Sequence, residues 1–295
     1  MHRYSYYKTA ACTLNVSIGD PQANKEEILK CIQELDSDTQ LVVFPELCVT
    51  GYTCQDLFYE HTLLNRAKQV LFEIVEELPE NLVTVLGLPL EIENKLYNCA
   101  AICFNHDILG IQVKTYIPSY NEFYETRWFS SASELKENTT FTYKDKKVPV
   151  SNHIVFKDTT TSACLGIEIC EDLWVTIPVS STHALAGANV LCNLSASNEI
   201  ISKANYRRNL VKDQSAKCYA GYVYASAGPA ESSSDLVFSG HNLICENGAI
   251  LSETKTDKII YGQIDLDHLN HDRLHYKTSM QDLFHVNYTT VEFTS

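Results

Sequence analysis

Short apolar runs of strand type alternate with amphipathic segments of helical period along this chain, and that rhythm limits the folds open to it. TAACTLNV (9–16) reads as a first strand. DPQANKEEILKCIQEL (20–35) follows as a helix, with Asp20 as N-cap and Pro21 at the first helical position. LVVF (41–44) is a β-branched run of buried-strand type, and DLFYEHTLLNRAKQVLFEIVEEL (56–78) predicts one continuous second helix. VTVLGLPL (83–90), LYNCAAICFN (96–105) and DILGIQVKTY (107–116) predict three more strands. A long aromatic loop, IPSYNEFYETRWFSSASEL (117–135), precedes further strands. The rhythm then resumes with CLGIEI, a helix near VSSTHALAGA, NVLCNLS, a helix ending DQSAKCYA, and YVYASAG. Asn247-Gly248 inside HNLICENGAIL is a hairpin signal. Interleaving of this kind predicts an α/β fold whose sheets carry helices on their outer faces. With no repeat, low-complexity tract or Gly/Ser linker to divide them, the 295 residues are expected to form one domain, 1–295.

Composition excludes several classes of partner. A formal net charge of -14 without any basic run disfavours nucleic acid and anionic membrane surfaces, both of which need clustered Lys and Arg. The N-terminal segment lacks a signal-type apolar core, and no run approaches a membrane span, so a cytoplasmic location is expected. The 11 cysteines are never spaced C-x-x-C, which argues against a zinc ribbon and a disulfide framework and for reduced core residues.

Three polar residues stand out because each ends a strand-like run: Glu46 after LVVFP, Lys114 in GIQVKTY, and Cys170 after LGIEI. Strand ends are where helix-covered α/β sheets bind ligands. Taken singly, each has an ordinary structural reading as a turn acid, a snorkelling lysine or a packed thiol. Together they supply the base, cationic stabiliser and nucleophile that acyl transfer requires. The difficulty is ACLGIEICEDLWV, where Glu171 and Asp172 follow the thiol directly and tend to raise its pKa. Moving a proton from an ordinary thiol to an ordinary glutamate is uphill by about 6 kcal/mol. The expectation is therefore a thiol lowered by Lys114 and nearby backbone N–H groups, with Glu171 and Asp172 pointing away, and a second carboxylate, Glu122 or Glu125, beside Glu46.

LVVFPELCVTGY, VKTYIPSYNEFYETRWF, LGIEICEDLW and NLSASNEIISKANYRRNLV resemble the motifs of the nitrilase-type (carbon–nitrogen hydrolase) superfamily. Most narrowly they resemble the N-terminal glutaminase domains of glutamine-dependent NAD synthetases, over nearly the whole chain. The resemblance implies an αββα four-layer sandwich, with Cys170 as nucleophile, Glu46 as general base and Lys114 as oxyanion stabiliser. It implies glutamine contacts at Tyr120, Ser197 and Lys203, with Phe123 and Glu171 lining the pocket. It further implies L-glutamine as substrate, a synthetase domain as partner, fused or separate, and a homo-oligomer. Asn198 stands where the family commonly has Pro, and Ser239 where it commonly has an acid. No SGG-x-D-S loop or Gly-rich phosphate cradle occurs, so no cofactor and no metal is expected in this chain; ATP and magnesium belong to the synthetase domain, which is absent from it. The alternatives are an amidase acting on another small amide or carbamoyl compound, a non-catalytic interaction domain, and a Cys–His hydrolase using His153, His183 or His241.

Overall fold

A computed structural model describes residues 5–281 and 285–295. In chain order its strands are β1 (Tyr6–Cys12), β2 (Leu41–Val43), β3 (Val83–Ile92), β4 (Lys95–Phe104), β5 (Asp107–Val113), β6 (Thr140–Tyr143), β7 (Lys146–Ser151) and β8 (Ile154–Asp158). They continue with β9 (Cys164–Ile169), β10 (Val190–Ser195), β11 (Gly221–Ser226), β12 (Asn242–Glu246), β13 (Ala249–Thr254), β14 (Ile259–Asp265) and β15 (Thr289–Phe293). The helices are α1 (Pro21–Gln33), α2 (His61–Glu77), α3 (Val179–Leu185), α4 (Lys203–Lys217) and α5 (Leu266–His275). One sheet has the order β14-β1-β2-β3-β4-β5-β7-β6, and the other β13-β12-β11-β10-β9-β8-β15.

The period-2 alternation of strand side chains sorts them between two cores. In β3, Leu86, Leu88 and Leu90 join Ile28 of α1 and Val70 and Ile74 of α2, whereas Val83 and Val85 face the other sheet. In β9, Leu165, Ile167 and Ile169 meet that inner face, while Cys164 packs with Ala184 of α3 and Val211 of α4. Each fully buried Leu, Ile or Val stabilises the fold by about 1.5–3 kcal/mol relative to exposure. The product is the expected αββα sandwich: α1 and α2, two sheets face to face, then α3 and α4. All 11 cysteines are buried and free. Among the described residues no helix is long and apolar enough to cross a membrane.

Two elements differ from expectation. The second helix is broken: a 3₁₀ turn covers Gln55–Tyr59, Glu60 is extended, and α2 starts at His61. The cause is tertiary, because Phe58 leaves the helical path to pack against Phe129 (4.9 Å) and Trp128 (5.8 Å) of the aromatic loop. β1 is shifted towards the N-terminus because it pairs with β14 from Tyr6 to Cys12, after which Thr13 turns to donate to the Ser226 carbonyl at 3.0 Å. Near the C-terminus, YTTVEFTS contains β15, which pairs in parallel with β8.

What matters for function is where strands end. Cys170 directly follows β9, Lys114 directly follows β5, and Glu46 and Ser197 lie just beyond β2 and β10. Both sheets thus deliver polar side chains to one edge of the sandwich. The Glu46 segment lies flat on β3, where a Cβ on Gly87 would sit 2.5 Å from both Leu47 N and the Pro45 carbonyl. Backbone cannot rotate away, so Gly87→Ala is expected to displace the Glu46 turn and destabilise the fold by about 1–3 kcal/mol. Denaturant unfolding measures this, and an unchanged midpoint would show that the turn is free to shift.

Candidate active site

Glu46 is wholly buried and fully occupied by donors. Its Oε1 accepts from Lys114 Nζ at 2.6 Å and from Asn98 Nδ2 at 2.7 Å, and its Oε2 accepts from the Ala196 backbone N–H at 2.9 Å. The last bond crosses from one sheet to the other. Leu47 follows with φ 52, a left-handed turn closed by the Gly51 N–H donating to the Leu47 carbonyl. Lys114 also donates to both oxygens of Glu125, at 2.9 and 2.8 Å, and Tyr52 OH donates to Glu125 Oε1 at 2.8 Å. Glu125 is therefore the second carboxylate. Glu122 lies elsewhere in the loop and accepts from Asn198 Nδ2. Burial disfavours the Lys114 charge, but Glu125 and Glu46 outweigh it and hold the ammonium well above its ordinary pKa. Burial pushes Glu125 up, Lys114 opposes that, and Glu46 adds to it.

Cys170 sits where β9 turns into a short 3₁₀ segment, Cys170–Leu173, with a left-handed φ of 47. A non-glycine residue in this region stores about 1–2 kcal/mol of strain. Asp172 holds the turn in shape. Its Oδ2 accepts from the Ile169 N–H at 3.1 Å, and its Oδ1 accepts from the N–H groups of Thr115 and Tyr116 at 3.1 and 2.9 Å. Its carboxyl, pushed up to about 8 by burial against the pull of those donors, is turned away from the thiol as expected. Glu171 differs. It accepts from Tyr120 OH at 2.8 Å and adds slightly to the thiol's pKa. The thiol itself lies well above its ordinary value, not below it as anticipated: burial dominates, Glu46 pushes the same way, and the pull of Lys114 in the other direction does not offset them. Local charge alone suggested the opposite because desolvation depends on the whole fold.

Around this centre stand the other residues singled out from sequence. Tyr120 packs edge-on against Phe123 (5.9 Å). Lys203, half-buried at the start of α4, lies over the rings of Phe123 (5.5 Å) and Trp174 (5.2 Å) and donates to Asn198 Oδ1. Burial lowers its pKa. Ser197, nearly buried, accepts at Oγ from Arg207 Nη2 at 3.1 Å. Phe123 and Glu125 also line a small neighbouring pocket with Tyr52, Phe58, Trp128 and Leu236, and Cys170 is not among its lining residues. The three histidines are engaged elsewhere: His183 bonds the Ile167 carbonyl at 2.7 Å, His241 lies between Arg207 and Glu253, and His153 packs edge-on against Tyr288. Asn98, Tyr52, Arg207 and Trp174 were not singled out. Asn98 and Tyr52 lie on a strand and a loop with no local cue, and only the fold brings them to the acids.

A buried thiol beside two carboxylates that share one ammonium, at the strand edge of an αββα sandwich, defines a class of amide-cleaving enzymes. The chain belongs to the carbon–nitrogen hydrolase family, whose profile matches residues 8–273. It is 38% identical over 257 residues to the glutamine-dependent NAD(+) synthetase of Mycobacterium tuberculosis (strain ATCC 25618 / H37Rv), covering 86% of this chain and 38% of that protein. To the human glutamine-dependent NAD(+) synthetase it is 29% identical over 255 residues, covering 83% and 35%. The crystal structure of a glutamine-dependent NAD(+) synthetase from Cytophaga hutchinsonii superposes with a TM-score of 0.75 at 29% identity, over 88% of this chain and 43% of that one. A carbon-nitrogen hydrolase from Helicobacter pylori G27 shares the fold at full length, with a TM-score of 0.74 at 17% identity over 96% and 98%. The chain spans about two fifths of the length of the synthetases it matches.

Burial and Glu46 hold the Cys170 thiol well above its ordinary pKa, which favours the neutral S–H over the thiolate near pH 7. The 240 nm absorbance difference between wild type and Cys170→Ala is expected to show no thiolate step between pH 6 and 8.5. A step within that range would mean a preformed thiolate–ammonium pair.

Proposed function

We propose that this chain, as a single domain over 1–295, is a glutamine amidohydrolase that supplies ammonia for the amidation of deamido-NAD by a synthetase domain. The observation that carries the reading is the sharing of the Lys114 ammonium by Glu46 and Glu125 next to the Cys170 thiol. The names of the similar synthetases support glutamine over other amides. In this reading Cys170 Sγ attacks the side-chain amide carbon while Glu46 takes the thiol proton. Lys114 stabilises the oxygen that becomes negative, and it is already in place, so little reorganisation is needed. Glu46 passes the proton to the departing nitrogen, and ammonia leaves a thioester. The same carboxylate then takes a proton from water as the water attacks, and glutamate departs as the thiol is restored.

Glutamine's amino-acid head finds complementary groups around this centre. Glu171, with Tyr120 donating to it, suits its ammonium, Lys203 and the Ser197 hydroxyl suit its carboxylate, and Phe123 walls the aliphatic stem. ATP, magnesium and deamido-NAD belong in this reading to the synthetase domain, so the chain alone releases free ammonia and makes no NAD.

Cys170→Ala is expected to abolish ammonia release from glutamine while melting like wild type; activity near the wild-type level would remove Cys170 from the chemistry. Glu46→Gln is expected to slow single-turnover acylation by about a hundredfold or more, because the thiol loses its proton acceptor. Lys114→Met is a different test, since it strands two buried acids and should destabilise the protein by about 3–5 kcal/mol, read by denaturant unfolding. Turnover of small primary amides faster than glutamine would favour a general amidase instead.

A further inference from the structure

Arg207, in the second turn of α4, is completely buried, and most of its bonds go to one place. Nη2 donates to Ser197 Oγ at 3.1 Å, to the Asn198 carbonyl at 2.9 Å and, more weakly, to the Ser197 carbonyl at 3.5 Å. Nη1 donates to His241 Nδ1 at 2.9 Å and to Glu199 Oε2 at 3.2 Å. Charge balance alone does not explain this arrangement. Among the described residues Glu199 is Arg207's only acidic partner, at the long end of hydrogen-bonding range, and it is already held by Ser239 Oγ at 2.7 Å and Lys255 Nζ at 3.1 Å.

A guanidinium donates and never accepts. Ser197 Oγ must therefore use a lone pair towards Arg207, which leaves its single proton to point elsewhere. Behind Arg207 the directions are equally determined. His241 Nδ1 accepts from Arg207, so Nε2 carries the imidazole proton and donates to Glu253 Oε1 at 2.7 Å, and Glu253 is held by Arg208 Nε at 2.8 Å. Burial lowers the His241 pKa, with Arg207 acting the same way against Glu253, which favours the neutral ring that this arrangement needs. Arg208, Glu253, His241, Arg207 and Ser197 form one ordered chain of donors and acceptors that ends beside Ala196, whose N–H binds Glu46.

We propose that Arg207 is a positioning residue for substrate binding: by donating to Ser197 Oγ it makes the Ser197 hydroxyl a dedicated hydrogen-bond donor to the carboxylate of a bound amino-acid amide. This rests on the reading of Ser197 as a glutamine contact. Arg207 touches no reacting atom, so its effect belongs in affinity for the amino-acid head and not in the chemical step.

The test compares wild type, Ser197→Ala, Arg207→Lys, Arg207→Met and the Ser197→Ala/Arg207→Lys double variant. The readouts are KM and kcat for glutamine, the rate of Cys170 alkylation by iodoacetamide, protection of Cys170 by glutamine, and thermal melting. Arg207→Lys keeps the buried charge, and so tests the proposal even if Arg207→Met does not fold. Ser197→Ala and Arg207→Lys are each expected to raise KM about tenfold, the size of one lost hydrogen bond to a charged group, with kcat and alkylation within about twofold of wild type. Because Arg207 acts through Ser197, the double variant should have a KM within about twofold of Ser197→Ala. A multiplied effect of about a hundredfold, an unchanged KM in Arg207→Lys, or an equal loss of kcat and alkylation rate would each overturn the proposal. If wild type does not hydrolyse glutamine yet is protected by it, the glutaminase reading falls alone, and protection midpoints replace KM in the same comparison. If glutamine gives neither hydrolysis nor protection, both fall.

Discussion

One buried ammonium shared by two buried carboxylates sets the terms for everything around it. Lys114 arrives from the end of β5, Glu46 from the turn after β2, and Glu125 from the aromatic loop. Taking three charges out of water carries a penalty of several kcal/mol per ion, recovered only when geometry and hydrogen bonding are close to complete. That completeness is visible in Asn98, Tyr52 and the Ala196 N–H, each of which spends a donor on one of the acids. The arrangement is costly to form and more costly to break, so it fixes the positions of three otherwise independent segments. Burial and the two acids together also hold the nearby Cys170 thiol above its ordinary pKa, against the pull of Lys114.

Much of this was legible in the sequence because strand ends announce themselves. Glu46, Lys114 and Cys170 each close an apolar run, and the alternation of strands and helices leads to a helix-covered pair of sheets. What escaped is non-local. The break at Glu60 depends on Phe58 meeting Phe129, which lies 71 residues further along in the sequence. Arg207 and Arg208 are adjacent in the same helix, yet one is wholly buried and the other half-exposed, and the polar sequence of α4 has no apolar stripe to say which. The direction of the Cys170 shift was missed for the same reason, since desolvation is a property of the packed fold. Glu125 could be separated from Glu122 only once the loop was folded.

The two departures from the family's usual residues are both put to use locally. Asn198, where Pro is common, spans the pocket rim by accepting from Lys203 and donating to Glu122. A proline there would leave Lys203 and Glu122 without that bridge. Ser239, where an acid is common, donates to Glu199, the carboxylate that Lys255 and Arg207 also share. An acid at that place would meet Glu199 with like charge, so the neutral hydroxyl fits this chain's own surroundings.

The bonds made by Asp172 and Glu125 determine how the aromatic loop can move. Asp172 takes the N–H groups of Thr115 and Tyr116 at the loop's start, and Glu125 is bound to Lys114 further along. A strap clamped at both ends does not swing like a door. It can only arch between its clamps, and here the span is the short stretch from 117 to 124, which carries Tyr120 and Phe123. How far Tyr120 and Phe123 can lift away from the body of the fold is then a limit set by the length of chain between the two clamps.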